Sequence, residues 1–384
     1  MIPTADELDL IAIRRDLHAH PEIAFAEKRT TDLIVDRLRA LGLEPRVLPS
    51  GTGVLCDIGQ TGPLVALRAD IDALPLPDHK DVPYRSQVDG ACHACGHDAH
   101  TAILLGVASV LARWPKLPGR IRLIFQPAEE QLPGGAVAVI GAGGMDGVAQ
   151  IYALHCDPRV DTGQVALRAG AITAASDLVQ VYLSGTGGHT GRPHLTVDLV
   201  YSLGRLITDL PGLLARRADP RAAMSLVWGS VEAGHAPNAI PQSGVVRGTL
   251  RMLDRDAWEG AEPLVRELVD EIVAPTGAKA ETAYLRGVPP VVNVDECVDV
   301  QRAAVVGALG ADAIADTMQS MGGEDFAWYL DHAPGAFARL GVRRAGAFPD
   351  LDLHQPTFDI DEQALGIGVR FSVHTALEAL KRLR

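Results

Sequence analysis

Basic charge is in short supply: the formal net charge is −13. A chain this acidic is a poor main partner for a nucleic-acid phosphate backbone or an anionic membrane surface. A small anionic substrate is still admissible, because a few local Arg or His residues can reverse the potential inside a cleft. Long apolar runs are also lacking. The longest helix-like one, residues 102–112, is about half of the roughly 20 residues that a membrane span requires. The opening residues, Met1-Ile2-Pro3-Thr4-Ala5-Asp6-Glu7, hold no basic region followed by an apolar core, so no secretory signal is expected. Cysteine is sparse. Cys56, Cys92, Cys95, Cys156 and Cys297 form an odd, scattered set, which argues against a disulfide framework and for a reducing cytoplasm. There is neither an internal repeat nor a low-complexity linker.

What is present is globular composition: hydrophobic residues make up 47% and charged residues 22%, which is not the balance of a disordered chain. At 384 residues the chain exceeds one ordinary core, so two domains are expected. Residues 8–42 read as a helix pair interrupted at His20-Pro21-Glu22. Short apolar runs at 53–58, 64–67, 121–125 and 151–154 then alternate with turns, with a helix pattern at 101–114 between two of them. That alternation predicts an α/β layer structure with a largely parallel sheet, and such sheets bind ligands beyond the carboxyl ends of their strands. Asp70 and Asp72, Glu129 and Glu130, and His155 each follow one of these runs. The character changes near residue 175. Strands at 178–183, 225–231, 244–253 and 280–285 with helices at 197–214 and 257–273 give a β-α-β-β-α-β order, the ferredoxin-like arrangement. The remainder, with helical stretches around 295–308 and 361–382, is expected to complete the first domain.

The densest group of ligand-type residues is Cys92-His93-Ala94-Cys95-Gly96-His97-Asp98-Ala99-His100. Haem attachment needs His directly after the second Cys, and Gly96 intervenes. A zinc ribbon needs a second CxxC, and there is none. A redox CxxC stays open, although nothing nearby resembles a thioredoxin-type unit. The remaining reading is a metal site in which Cys95 and His97 reach one ion or ion pair, since thiolate and imidazole suit a borderline-soft divalent metal. In Gln126-Pro127-Ala128-Glu129-Glu130 the adjacent carboxylates are either a solvated loop or a division of labour, one binding metal while the other acts as general base. His155, and His354 in Leu353-His354-Gln355-Pro356, are ordinary histidines when taken singly.

Taken in order, Arg68-Ala69-Asp70-Ile71-Asp72-Ala73-Leu74-Pro75, the Ala94–Asp98 cluster, Gln126–Glu130, Gly187-Gly188-His189, Pro237-Asn238-Ala239-Ile240-Pro241, Gly323-Glu324-Asp325-Phe326 and the His354 loop resemble the M20 metallopeptidase family. The branch is that of N-acyl-amino-acid amidohydrolases, which includes hippurate hydrolases and the plant hydrolases that free indole-acetate from amino acids. The resemblance runs from about residue 14 to 376. It implies two divalent ions per subunit, zinc first and manganese as the alternative, on Cys95, His97, Glu130, His155 and His354. Glu129 matches the catalytic base; Asp70, from its position alone, is expected behind the ligands, fixing an imidazole tautomer. It further implies that His189 stabilises the oxyanion, commonly in the partner subunit of a homodimer, that Asn238 and Arg251 hold the substrate carboxylate, and that Glu324 lines the pocket. Arg68 stands where other M20 branches carry a metal-binding His.

The expected fold is therefore α/β, with a mainly parallel, helix-flanked catalytic domain (1–174 and 288–384) and an inserted α+β ferredoxin-like lid and dimerisation domain (175–287). The expected activity is hydrolysis of N-acyl amino acids, with a small-molecule substrate and neither nucleic acid nor membrane as partner. A deacetylase of N-acetyl-diaminopimelate type or a dipeptidase is the enzymatic alternative. A non-catalytic metabolite-binding relative is the alternative from a different class, and a redox CxxC protein comes third.

Overall fold

The computed structural model describes residues 7–344 and 351–384; the opening residues 1–6 read above lie outside them. The chain forms two compact units. One comprises Met1–Ile172, Val292–Met318 and Asp325–Arg384, the other Thr173–Val291 with Gln319–Glu324.

The first unit is mixed α/β, built on an eight-stranded, mainly parallel sheet. At its centre the strand Leu64–Asp70 pairs in parallel with Arg120–Gln126 on one side and with Val148–Asp161 on the other, and Gly335–Arg343 adds in parallel next to the latter. The registers set Asp70 level with Gln126, and His155 opposite Arg339. Both faces of Leu64–Asp70 are buried, which explains its unbroken apolar run. Antiparallel neighbours, Val54–Ile58 next to Arg120–Gln126 and Val165–Leu167 next to Gly335–Arg343, extend the sheet outward.

The helix His97–Leu111 is buried at every position except Ser109. Helices Glu7–Ala19 and Gln363–Arg382 lie against it, and a β-carbon on Gly106 would come within 2.8 Å of Leu10 and 2.6 Å of Val369. Close packing on all sides fixes this helix, so truncating Leu104 or Leu105 to Ala is expected to cost about 2–5 kcal/mol. The helix begins four residues before the predicted 101. Its first turn, His97, Asp98 and His100, is polar yet buried, so apolar periodicity does not reveal it. The strand at 151–154 likewise runs on to Asp161, pairing with Gly335–Arg343 past His155.

The second unit is a four-stranded antiparallel sheet in the spatial order Ser225–Ala233, Ser243–Met252, Ala175–Ser184, Lys279–Val288. Helices Leu199–Arg217 and Arg255–Val273 bury Leu203, Leu206, Leu210, Val265, Leu268 and Ile272. Asp198 and Asp254 cap them, accepting from the amides of Tyr201 (3.0 Å) and Ala257 (2.8 Å). Among the described residues no helix is long and apolar enough to cross a membrane.

Candidate metal centre

One glycine shapes the entry to the buried helix. Gly96 has φ +88°, a left-handed backbone that residues with a β-carbon avoid. A β-carbon there would also lie 3.0 Å from Cβ and Sγ of Cys156. The turn puts Cys95 just ahead of the helix and His97 on its first turn. The chain returns at His354, whose amide donates to Ala94 O (2.8 Å) and whose own φ is +62°.

Five side chains meet there. The ligand atoms of Cys95, His97 and His155 lie within 4.8 Å of one another, and so do those of Cys95, Glu130 and His354. Cys95 belongs to both triplets. Hydrogen bonds aim the imidazoles. His155 Nδ1 donates to Cys156 O (2.7 Å), which leaves Nε2 facing Cys95 Sγ at 3.4 Å. His97 Nδ1 donates to Asp72 O (2.9 Å), and its Nε2 is buried without a hydrogen bond. His354 Nε2 lies 3.2 Å from Glu130 Oε1.

Charge tells the same story. Burial pushes the Cys95 thiol well up, and the carboxylates of Glu130, Glu129 and Asp70 push it further. Burial works against a charged His97, yet Asp70, Asp72 and Glu130 raise it to about 10. These are protons on groups that a divalent cation would claim instead. A buried imidazole nitrogen without a hydrogen bond, a thiol and a carboxylate fit such an ion.

A frame of buried ions holds this group. Arg68 donates to Asp70 Oδ2 (2.7 Å), to Gln126 Oε1 (2.8 Å) and to Asp325 Oδ1 (2.8 Å). Asp70 Oδ1 accepts from His100 Nδ1 (2.5 Å), and His100 Nε2 accepts from the amide of Cys156 (2.9 Å). Both nitrogens of His100 are thereby engaged, so it orients the site and is not free to bind an ion. Asp70 thus hydrogen-bonds His100, while Asp72 fixes the tautomer of His97. Asp72 also accepts the amides of Glu129 and Glu130 on its two oxygens, each at 3.0 Å.

Sequence reasoning noted Asp72 and His100 without giving either a role, and it missed Glu27, which accepts from the amide of Ala128 (2.8 Å). The alternation in Asp70-Ile71-Asp72 and the i, i+3 spacing of His97 and His100 were the available signals. The two cysteines of the CxxC part company. Cys92 Sγ sits 3.5 Å from Lys80 Nζ, in a separate group with His18 and Asp78, and both cysteines are free thiols.

The other singled-out residues lie in the second unit. His189 is exposed, with Nδ1 accepting from the amide of Gly191 (2.9 Å), and it pairs with Ala239, the neighbour of Asn238. Arg251 donates to Met321 O, and Glu324 is buried.

A partly buried set of thiol, imidazole and carboxylate donors beside a second carboxylate, gathered on a mainly parallel sheet, is the equipment of a metal-dependent hydrolase. The comparisons agree. The profile described as Peptidase family M20/M25/M40 matches residues 66–378. An N-acetyl-L-cysteine deacetylase of Bacillus subtilis is 39% identical over 364 residues, 94% of this chain and 85% of that one. A solved Bacillus subtilis structure, a dinuclear metal-binding peptidase of the M20 family, superposes with a TM-score of 0.85 at 33% identity, covering 98% of each chain. A Rhodococcus jostii protein named "Putative glutamate--cysteine ligase 2-3" is 51% identical over 379 residues, 98% of this chain but 47% of its own length. The chain therefore spans about half of that relative. It belongs to the M20/M25/M40 peptidase family and is by class a metal-dependent amidohydrolase acting on amide C–N bonds.

Proposed function

We propose that the chain hydrolyses N-acyl-amino acids to a carboxylate and a free amino acid. The observation that carries this reading is the convergence of two ligand triplets on Cys95, beside Glu129. Cys95, His97, Glu130, His155 and His354 would hold two divalent ions, zinc first and manganese as the alternative. When bound, the ions supply Lewis acidity toward a water and the scissile carbonyl. Glu129 takes the water proton as its oxygen bonds to the carbonyl carbon, then delivers that proton to the departing amine nitrogen as the C–N bond breaks. Asp72 keeps Glu129 and Glu130 in register by holding their adjacent amides.

The substrate's other contacts we assign to the second unit. His189 would donate to the developing oxyanion, Asn238 and Arg251 would hold the free carboxylate, and Glu324 would line the pocket. We assign that unit the role of lid and dimerisation domain in a cytoplasmic homodimer. The acyl group we place first is acetyl and the amino acid cysteine, because the Bacillus subtilis relative is an N-acetyl-L-cysteine deacetylase.

The test is a free-amine assay of acetyl-, benzoyl- and indolylacetyl-amino acids on protein of measured metal content. Turnover of at least one class, lost on chelation and restored by zinc or manganese, is expected. Glu129→Gln should keep the metal and lose about 10²–10⁴-fold in rate. Absence of amine release from every class by metal-loaded protein would refute the substrate assignment, and a Glu129→Gln variant above about a tenth of the parent rate would remove Glu129 as base.

A further inference from the structure

Three consecutive amides in the turn after Arg120–Gln126 are gripped by two carboxylates. Asp72 takes Glu129 and Glu130, and Glu27 Oε1 takes Ala128 at 2.8 Å. Glu27 comes from 101 residues earlier in the chain. It precedes helix Lys28–Ala40 at the position where a side chain ordinarily caps the first free amides, yet it makes no such bond. Its carboxylate is turned to Ala128 instead.

The placement is an expensive one. Glu27 has 0% exposure, and its second oxygen, Oε2, is buried without a hydrogen bond. Burial first, with the nearby Asp72 carboxylate adding to it, pushes its acid up to about 7. An apolar side chain of similar size would serve packing better, so the retained acceptor points to a task at Ala128.

That task is conformational. Ala128 has φ +55°, in the left-handed region that a residue with a β-carbon adopts only when its surroundings impose it. Both of its peptide groups are tied: the amide to Glu27, and the carbonyl to the amide of Gly135 at 2.8 Å. The flanks are tight as well. A β-carbon on Gly135 would stand 1.8 Å from Pro127 O, and one on Gly53 2.6 Å from Pro127 Cδ. Rotation at Ala128 sets the direction in which the next residue, Glu129, leaves the turn.

We propose that Glu27 is a positioning residue for the reaction: by accepting the Ala128 amide it fixes the reversed backbone that aims Glu129. The inference rests on the reading of Glu129 as the base.

The experiment compares Glu27→Leu, which removes the acceptor, with Glu27→Gln, which keeps an oxygen for the Ala128 amide. Glu129→Gln runs alongside, on metal-loaded enzyme with an N-acyl-amino acid. Glu27→Leu should lose about 10²-fold in kcat, the scale of a misplacement near 1 Å, with KM and metal content unchanged and faster hydrogen exchange at the Ala128 amide. Glu27→Gln should recover most of that loss. A Leu variant with unaltered kcat, a Gln variant as slow as the Leu one, or a loss that falls on KM and metal content instead of kcat each overturns the proposal. Should Glu27→Leu not fold, Glu27→Ala replaces it with formate as the added acceptor; recovery of kcat supports the proposal and its absence overturns it. An active Glu129→Gln would defeat the reading of the base itself, whereas an inactive Glu129→Gln beside a fully active Glu27→Leu defeats only the role of Glu27.

Discussion

Replacing Asp72 by asparagine keeps the side chain's shape and leaves one acceptor where there were two. The amides of Glu129 and Glu130 each donate to one oxygen of Asp72 at 3.0 Å. In Asp72→Asn one of them faces an NH₂ group, donor against donor. Leaving a buried amide unsatisfied costs about 1–3 kcal/mol, and these two are only part-buried, so the lower half of that range applies. The surviving bond also falls from charge-assisted to neutral, about half its former strength. Together these give about 2 kcal/mol, enough to lower Tm by several degrees. The larger effect is on rate. The unsatisfied amide rotates toward water and carries the base or its neighbouring ligand with it, and a shift of about 1 Å is worth about 10²-fold in kcat. The assay pairs kcat on an N-acyl-amino acid with metal analysis and thermal unfolding of the same sample. Asp72→Asn that retains Tm and stays within about threefold of the parent kcat would refute the clamp, because the expected loss is far larger.

Two further predictions follow from charge. In the metal-free protein at neutral pH both Cys95 and His97 hold protons, so zinc loading should release about two protons per chain; calorimetry in buffers of different ionisation enthalpy measures this, and release of about one would remove one of them as a ligand, near zero both. His18 sits with Nδ1 2.6 Å from Asp98 and Nε2 3.3 Å from Asp78; burial opposes its charge, but Asp98 and Asp78 raise its pKa from 6.5 to about 10. A folded-state pKa above the unfolded one contributes stability that is fully present below about 6.5 and fades as pH rises through about 10. The thermal midpoint of the wild type at constant metal loading should therefore fall across that window more steeply than that of His18→Gln, and parallel curves would contradict the assignment.

How much of this was legible from the sequence depends on what each signal measures. Apolar runs located Val54–Ile58, Leu64–Asp70 and Arg120–Gln126 because these strands are buried. The same signal passed over Gly335–Arg343, a strand buried nearly end to end, where Gly335, Arg339 and Gly341 interrupt the apolar pattern. It also stopped at Leu154, since Asp157, Pro158 and Arg159 look like a break although the strand continues through them. Motif reading singled out Cys95, His97, Glu130, His155 and His354, whose atoms the fold gathers.

What motif reading could not find is the partner of a residue that binds backbone amides. Asp72 acts on amides 57 and 58 residues away, and Glu27 on one 101 residues away. An amide has no residue type, so neither member of such a pair marks the other in a sequence. Only the fold reveals that each acid has an address. If both proposals hold, the chemistry depends on these acids as much as on the ligands. On the proposed function Glu129 and Glu130 are neighbours with different tasks, and two adjacent carboxylates can divide their labour only if the peptide units between them are held still. In this chain three successive amides are held by two acids from two different segments. The turn is thereby fixed by the folded unit as a whole and not by its own five residues, which is why Gln126-Pro127-Ala128-Glu129-Glu130, read alone, was compatible with an ordinary solvated loop.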